Sequence, residues 1–183
     1  MQKEERIGDW IQSYSGKVIY PLDPREDEIN IIDTAHSLSL LCRFTGHCSS
    51  LYTVGQHSVL VSSMCSQPNK FWGLIHDMSE SALTDFPRPL KRSKGFEYYL
   101  EAEKRYMQVI CKKFNLPEEM PDEVREADNR MLITERNQLM SKPPMEWNDK
   151  YEPYDIKIVP WEPKVAERRF LELFYSLYKG DAK

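Results

Sequence analysis

The sequence predicts an all-α fold: a single helical bundle of about six helices, with room for a small two-stranded ribbon. Three observations lead there. Apolar residues recur at three- and four-residue spacing in several stretches, as in Tyr99, Ala102, Tyr106, Val109 and Ile110. Prolines fall between these stretches or at their first positions, as at Pro121 and Pro163. The chain has 183 residues, 40% of them hydrophobic, and four Trp, which suits one core and hence one domain over 1–183.

Taken in order, residues 1–28 read as irregular. Trp10-Ile11 and Val18-Ile19-Tyr20 form short extended pieces before the turns at Pro21 and Pro24. A first helix starts near Asp33 as N-cap and runs to Leu41, and Arg43 to His47 form a loop with Gly46 as the stop. A second helix covers Val54 to Met64, and His57 falls on its apolar stripe with Val54, Val61 and Met64. A third covers Lys70 to Ser81, followed by a loop with Pro87 and Pro89. The fourth spans Gly95 to Phe114. The fifth opens at Pro121-Asp122 with the stripe Val124, Ala127, Asp128, Met131, Leu132, Glu135 and Leu139, and ends before Pro143-Pro144. The 141–162 loop holds an extended piece, Ile156 to Val159, which is a candidate partner strand for the N-terminal segment. The last helix runs from Pro163 to Tyr178.

Composition excludes several classes. There is no run of about 18 apolar residues, so no membrane span is expected. The start Met1-Gln2-Lys3-Glu4-Glu5-Arg6 lacks the apolar stretch of a signal peptide, so the cytoplasm is the expected location. Cys42, Cys48, Cys65 and Cys111 form no paired metal-binding spacing and are expected as free thiols. A net charge of −4 argues against a stable nucleic-acid complex. One local basic cluster stands out: Arg88, Lys91, Arg92 and Lys94.

The chemistry lies in polar residues on apolar faces. In Phe71 to Asp85 an apolar run carries His76 and Asp77 side by side, with Glu80 one turn later and Asp85 beyond. A buried carboxylate without a partner costs several kcal/mol or takes up a proton. Three helices carry such groups: His57 on the second, His76 and Asp77 on the third, Asp128 on the fifth. Singly, each reads as a hydrogen-bonded or surface residue. Together, in one small core, each needs a partner, and a divalent ion would satisfy all four. Two His and two Asp suit Mn, Fe, Co, Ni or Zn, with Mg also admitted.

The ordered set His57, His76-Asp77, Asp128 resembles the signature of HD-domain metal-dependent phosphohydrolases. Val54-Gly55-Gln56-His57-Ser58, Ile75-His76-Asp77-Met78-Ser79-Glu80, Asp85-Phe86-Pro87-Arg88-Pro89-Leu90-Lys91 and Arg125-Glu126-Ala127-Asp128 are similar to motifs of the bacterial 5′-deoxynucleotidases in that superfamily. Asp33-Thr34-Ala35-His36-Ser37-Leu38 and Cys42-Arg43-Phe44-Thr45-Gly46-His47 resemble a small phage and prophage branch that includes triphosphohydrolases acting on dATP. The resemblance runs from about residue 10 to residue 175. It implies that His57, His76, Asp77 and Asp128 hold the metal. It makes Glu80 the general acid or base, and gives Asp85 the orienting of water or leaving group. Arg43 and Lys91 would grip phosphate oxygens. It also implies a homo-oligomer. Two departures stand out. Gln56 replaces the Glu that many relatives carry before the His, and Phe44 replaces the Trp that the deoxynucleotidases place beside the sugar.

The expected activity is therefore hydrolysis of a small-molecule deoxynucleotide. Removal of triphosphate from a dNTP stands slightly ahead of dephosphorylation of a dNMP, because Arg88, Lys91, Arg92 and Lys94, with Arg43 and Arg130, offer a long cationic track. A non-catalytic nucleotide sensor and a metal-free helical protein are the competing classes. Phe44, Trp72 and Tyr52 are candidate walls for sugar or base. His36, on the first helix's apolar stripe, is read either as a substrate contact or as a core hydrogen bond.

Overall fold

The computed structural model describes residues 6–147 and 150–180. Parts of two expected segments, the irregular start 1–28 and the loop 141–162, therefore lie outside the described residues. A hairpin comes first: β1 (Ile11–Gln12) pairs antiparallel with β2 (Val18–Ile19), Ile11 opposite Ile19. The helices follow as α1 (Ile31–Leu40), α2 (Val54–Met64), α3 (Lys70–Ile75), α4 (Glu80–Leu83), α5 (Arg88–Lys91), α6 (Glu97–Lys113), α7 (Asp122–Leu139) and α8 (Pro163–Leu177). The expected all-α domain with a small ribbon is what forms. No helix of the described residues is long and apolar enough to cross a membrane, and all four cysteines are free.

Helix α2 is the centre of the bundle. It packs on α1, α3, α7 and α8. One flank carries Leu38, Leu74, Ile110, Phe170 and Phe174, and the other Val61, Trp72, Met131 and Leu139. Thr53 caps α2 by accepting a hydrogen bond from the Gln56 N–H. Gly55 lets α1 approach: a Cβ there would sit 2.8 Å from Ser39 Oγ and 3.2 Å from the Ser39 backbone nitrogen.

Four expectations are corrected. The N-cap of α1 is Asn30, whose side chain accepts from the N–H groups of Ile32 and Asp33. Asp33 is instead buried inside the first turn, where Ser15 donates to it through both its N–H and its hydroxyl, each at 2.8 Å. That contact ties the hairpin to α1. The third helix does not run to Ser81. It ends at Ile75 and tightens into i→i+3 bonds, Met78 N–H to Ile75 O and Glu80 N–H to Asp77 O, before α4.

The ribbon lies wholly within the N-terminal segment, so Ile156–Val159 is not a strand of it. Two glutamine side chains supply the hydrogen bonds a partner strand would have made. Gln138 donates to Ile156 O and accepts from the Ile158 N–H, while Gln56 donates to Val159 O and accepts from the Trp161 N–H. Finally, Gly46 does not stop α1, which is already over at Leu41. Gly46 closes a separate turn in which Phe44 (φ 53°), Thr45 (φ 54°) and Gly46 (φ 81°) are all left-handed.

The close α1–α2 approach makes Gly55→Ala a sharp test of this packing. Overpacking of this kind costs about 1–3 kcal/mol, and urea unfolding of the variant is expected to show a loss in that range.

Candidate metal centre

Three packed elements deliver the site. His57 projects from the buried first turn of α2. His76 and Asp77 stand where α3 breaks. Asp128 comes from the face of α7 that meets α2. One ligand atom each from His57, His76 and Asp128 lies within 4.8 Å of the others. The two imidazoles approach through Nε2 at 3.2 Å, and Asp128 Oδ1 is 3.3 Å from His57 Nε2. Asp77 Oδ2 lies beside the two imidazoles, 3.2 Å from His76 Nε2 and 3.6 Å from His57 Nε2, but outside the group of three whose ligand atoms are all mutually close. Bonds of about 2.0–2.2 Å to a first-row ion set neighbouring ligand atoms about 3.0–3.5 Å apart. The donor set and its spacing fit such an ion.

Both histidines are oriented for the task. His76 Nδ1 is 2.8 Å from Gly73 O, a pure acceptor, so Nδ1 donates there and Nε2 is the nitrogen turned to the site. His57 Nδ1 is 2.6 Å from Glu135 Oε1. Glu135 is fully buried and also accepts from Tyr52 Oη at 2.7 Å and Arg43 Nε at 3.0 Å. Burial favours the neutral acid, but Arg43, His57 and Tyr52 together hold Glu135 below its ordinary pKa. For His57, burial and Arg43 push downward. Glu135 and Asp128 outweigh them and lift it to about 9. Asp128 is lowered to about 2: burial works against its charge, and His57 then His76 stabilise it.

A cavity of about 650 Å³ opens over this cluster. Asp77 and Asp128 line it, together with Arg43, Glu80, Asp85, Arg88, Lys91 and Arg92. Phe44, Phe86, Leu132 and Trp147 form its apolar wall. Glu80 is buried, its Oε2 has no hydrogen-bond partner among the described residues, and Oε1 is 3.7 Å from Lys91 Nζ. Burial, then the charges of Asp77 and Asp85, push its pKa well above the carboxylate range. The i→i+3 tightening after α3 explains its reach: side chains three apart eclipse in a 3₁₀ turn, so Asp77 and Glu80 line one cavity. Lys91 is held by Glu103 at 2.8 Å, and Arg88 by Asp128 at 3.1 Å and Asn129 at 2.8 Å.

No family profile matches the chain. It is 38% identical over 173 residues to the uncharacterized protein YfdR of Escherichia coli K12, an alignment covering 92% of this chain and 95% of that one. The chain belongs to the YfdR family. It is also 31% identical over 127 residues, 64% of each chain, to an uncharacterized protein of Rhodobacter capsulatus.

Within this member of the YfdR family, not every expected site residue reaches the cavity. His36 lies elsewhere, between α1 and α8, stacked on Tyr14 at 3.6 Å and 3.1 Å from a Glu167 carboxylate oxygen. Its place on α1 faces α8 rather than α3 and α7. Trp72 is in the core with its indole N–H on Pro117 O, and Tyr52 is buried against Glu135, so neither is a cavity wall. Arg130 donates to Glu152 O and lies over the Tyr154 ring. Lys94 is exposed and is not among the described residues lining the cavity. Gln56 holds the chain before α8.

Sequence reasoning missed Glu135 as part of the site, although its place two turns after Asp128 on the buried face was the available signal. It also missed Phe86, Leu132 and Trp147 as wall residues. Trp147 stands in an irregular loop where no periodicity could point to it.

His57 in the metal-free protein keeps its proton up to about pH 9. A metal must displace that proton below this pH, so its affinity is expected to fall as pH falls, by about tenfold per pH unit for one proton. Zinc titrations between pH 6 and 9.5 read this slope directly; a flat profile refutes it.

Proposed function

We propose that the protein is a metal-dependent phosphohydrolase of deoxynucleotides, of the HD-domain type, which cuts at the 5′ oxygen and leaves a deoxynucleoside. The observation that carries this reading is the convergence of His57, His76, Asp77 and Asp128 under a cavity that also holds the half-partnered carboxyl of Glu80. His57, His76, Asp77 and Asp128 would hold the ion, for which Mn, Fe, Co, Ni and Zn all suit the donors, with Mg as the weaker match. When bound, such an ion lowers the pKa of water and polarises a phosphoryl oxygen.

The chain's own groups supply the remainder. Burial and the charges of Asp77 and Asp85 raise the proton affinity of Glu80, and one of its oxygens has no hydrogen-bond partner among the described residues, which suits it to act as the acid for the leaving 5′ oxygen. Arg43 and Lys91, both cavity-lining and both held in place by carboxylates, meet the phosphate oxygens. Asp85 orients water or leaving group. Phe44, Phe86, Leu132 and Trp147 cover sugar and base and exclude bulk water.

The charge of the cavity bears on the product released. Four cations (Arg43, Arg88, Lys91, Arg92) face four carboxyls (Asp77, Glu80, Asp85, Asp128), which sums to zero. A divalent ion makes this +2, and a protonated Glu80 makes it +3. A monophosphate carries about two negative charges and a triphosphate nearer four. That balance lies between the two phosphates, and it is the placing of Lys94 and Arg130 outside the cavity lining, which shortens the cationic track, that supports a dNMP substrate and release of phosphate. The second reading, triphosphate released from a dNTP such as dATP, draws on Arg88 and Arg92 extending the lining beyond Lys91. The reading carries with it a cytoplasmic homo-oligomer, for which mass by light scattering is the check.

Chromatography of the products from each dNMP, each dNTP and the matching ribonucleotides, with Mn, Co, Zn or Mg, decides the substrate. Nucleoside with phosphate from dNMPs supports the first reading, and nucleoside with intact triphosphate supports the second. No product with any metal refutes both. Asp77→Ala is expected to lose metal and turnover together. Glu80→Gln is expected to keep its metal and lose about 10²- to 10⁴-fold in kcat, and full turnover in that variant removes Glu80 from the mechanism.

A further inference from the structure

We infer that Glu135 is a positioning residue that couples the two halves of this site: one buried carboxylate sets both the metal-ligating imidazole of His57 and the guanidinium of Arg43 that meets the substrate anion. The inference rests on the metal-site reading above and extends it to a residue that touches neither ion nor substrate.

Glu135 has no exposure and does not line the cavity, so it cannot act on a bound molecule directly. Its two oxygens divide their work. Oε1 accepts from His57 Nδ1 at 2.6 Å and from Tyr52 Oη at 2.7 Å, and Oε2 accepts from Arg43 Nε at 3.0 Å. The donors come from α2, from the segment before it and from the turn after α1, while the acceptor sits on α7. A side chain needed only to fill space between these elements would be apolar, because a carboxylate here must be matched by donors on every side.

On the His57 side, a carboxylate at Nδ1 can only accept, so it keeps a proton on Nδ1 and leaves Nε2 as the nitrogen whose proton an ion shared with Asp77, His76 and Asp128 would displace. It also makes that nitrogen a stronger donor to a cation. His76 has only the neutral Gly73 carbonyl in the equivalent place. The two histidines are therefore unequal, and His57 is the one whose ligation depends on a charge behind it.

On the Arg43 side, the residue sits at the mouth of a turn whose next three residues are all left-handed, so no helical neighbour fixes its rotamer. Its backbone N–H is held by Tyr52 O at 2.9 Å and its Nε by Glu135. With Nε so fixed, Nη1 lies 3.6 Å from Asp77 Oδ2 and the guanidinium reaches the cavity. A displacement of Glu135 moves the metal ligand and the anion contact together.

The test uses the full chain and zinc alone for its first arm. Zinc affinity is measured by competition with a chromophoric chelator in wild type, Glu135→Gln and Tyr52→Phe. The His57 ring of the zinc-loaded proteins is read by long-range ¹H–¹⁵N NMR. The Gln amide has the same size but one oxygen becomes a donor facing donors, so Glu135→Gln is expected to weaken zinc about 10- to 100-fold and to lose the single Nδ1-protonated, Nε2-ligated His57 pattern. Tyr52→Phe removes one of the carboxylate's three donors but leaves the His57 and Arg43 ties in place, and is expected to weaken zinc less than Glu135→Gln does. At saturating metal, Glu135→Gln is also expected to raise KM for the phosphate ester, through Arg43.

Wild-type zinc affinity and an unchanged His57 pattern in a folded Glu135→Gln overturn the inference while leaving the metal site standing. Weakened zinc with an unmoved KM overturns its Arg43 half. Absence of zinc binding in wild type overturns the site reading, and this inference with it. Should Glu135→Gln not fold, Glu135→Asp keeps the charge but is too short to hold both donors, and wild-type zinc affinity there overturns the inference equally.

Discussion

The 2.6 Å contact between His57 and Glu135 is the constraint on which the remaining architecture depends. Both side chains are completely buried, so neither can be solvated by water, and each is acceptable in the core only because the other is there. The pair fixes the register of α2 against α7. That register brings Asp128, two turns before Glu135 on the same helix, to His57 Nε2. Arg43 and Tyr52 complete the carboxylate's donors and so pin the turn after α1 to the same point. The functional groups and the packing of the bundle are one arrangement.

The break at the end of α3 has a comparable consequence. A regular helix through Lys70 to Ser81 would have kept a 100° step between successive residues and spread Asp77 and Glu80 around its surface by about 60°. The shift to i→i+3 bonds lines them up and lets one face the other ligands while the next stands over the cavity. Glu80 is thereby buried beside Asp77 and Asp85, and its raised pKa follows from that placement rather than from its identity. Local backbone geometry has set an acid's proton affinity.

The basic loop shows how a charge run is divided by packing. Arg88, Lys91 and Arg92 line the cavity, but Arg88 is paired with Asp128 and Lys91 with Glu103, while Lys94 is exposed outside it. Arg88 and Lys91 stand one turn apart on the four-residue helix α5 and meet different carboxylates. Counting cations along the chain overstated the field in the cavity, because half of each contact depends on which carboxylate the side chain meets. The same holds for Arg130, which spends its guanidinium on Glu152 and the Tyr154 ring.

Much of this protein is determined by the chain itself. Apolar spacing with proline punctuation specifies α2 and α8 nearly to the residue, since burial of one helical stripe depends on local order alone. His57, His76, Asp77 and Asp128 are legible because polar groups on apolar stripes demand partners, and four such demands in one small core have few solutions. Where a helix stops being regular, the sequence falls silent: the end of α3 and the left-handed turn at Phe44 are set by what packs on them. Partner choice across the core is likewise a tertiary matter. Glu135 was visible as a buried carboxylate, but that it binds His57, Tyr52 and Arg43 at once follows only from the crossing of α2 and α7. His36 and Glu135 occupy similar apolar stripes in sequence, and the face that each helix turns inward sends one to α8 and the other to the His57 cluster.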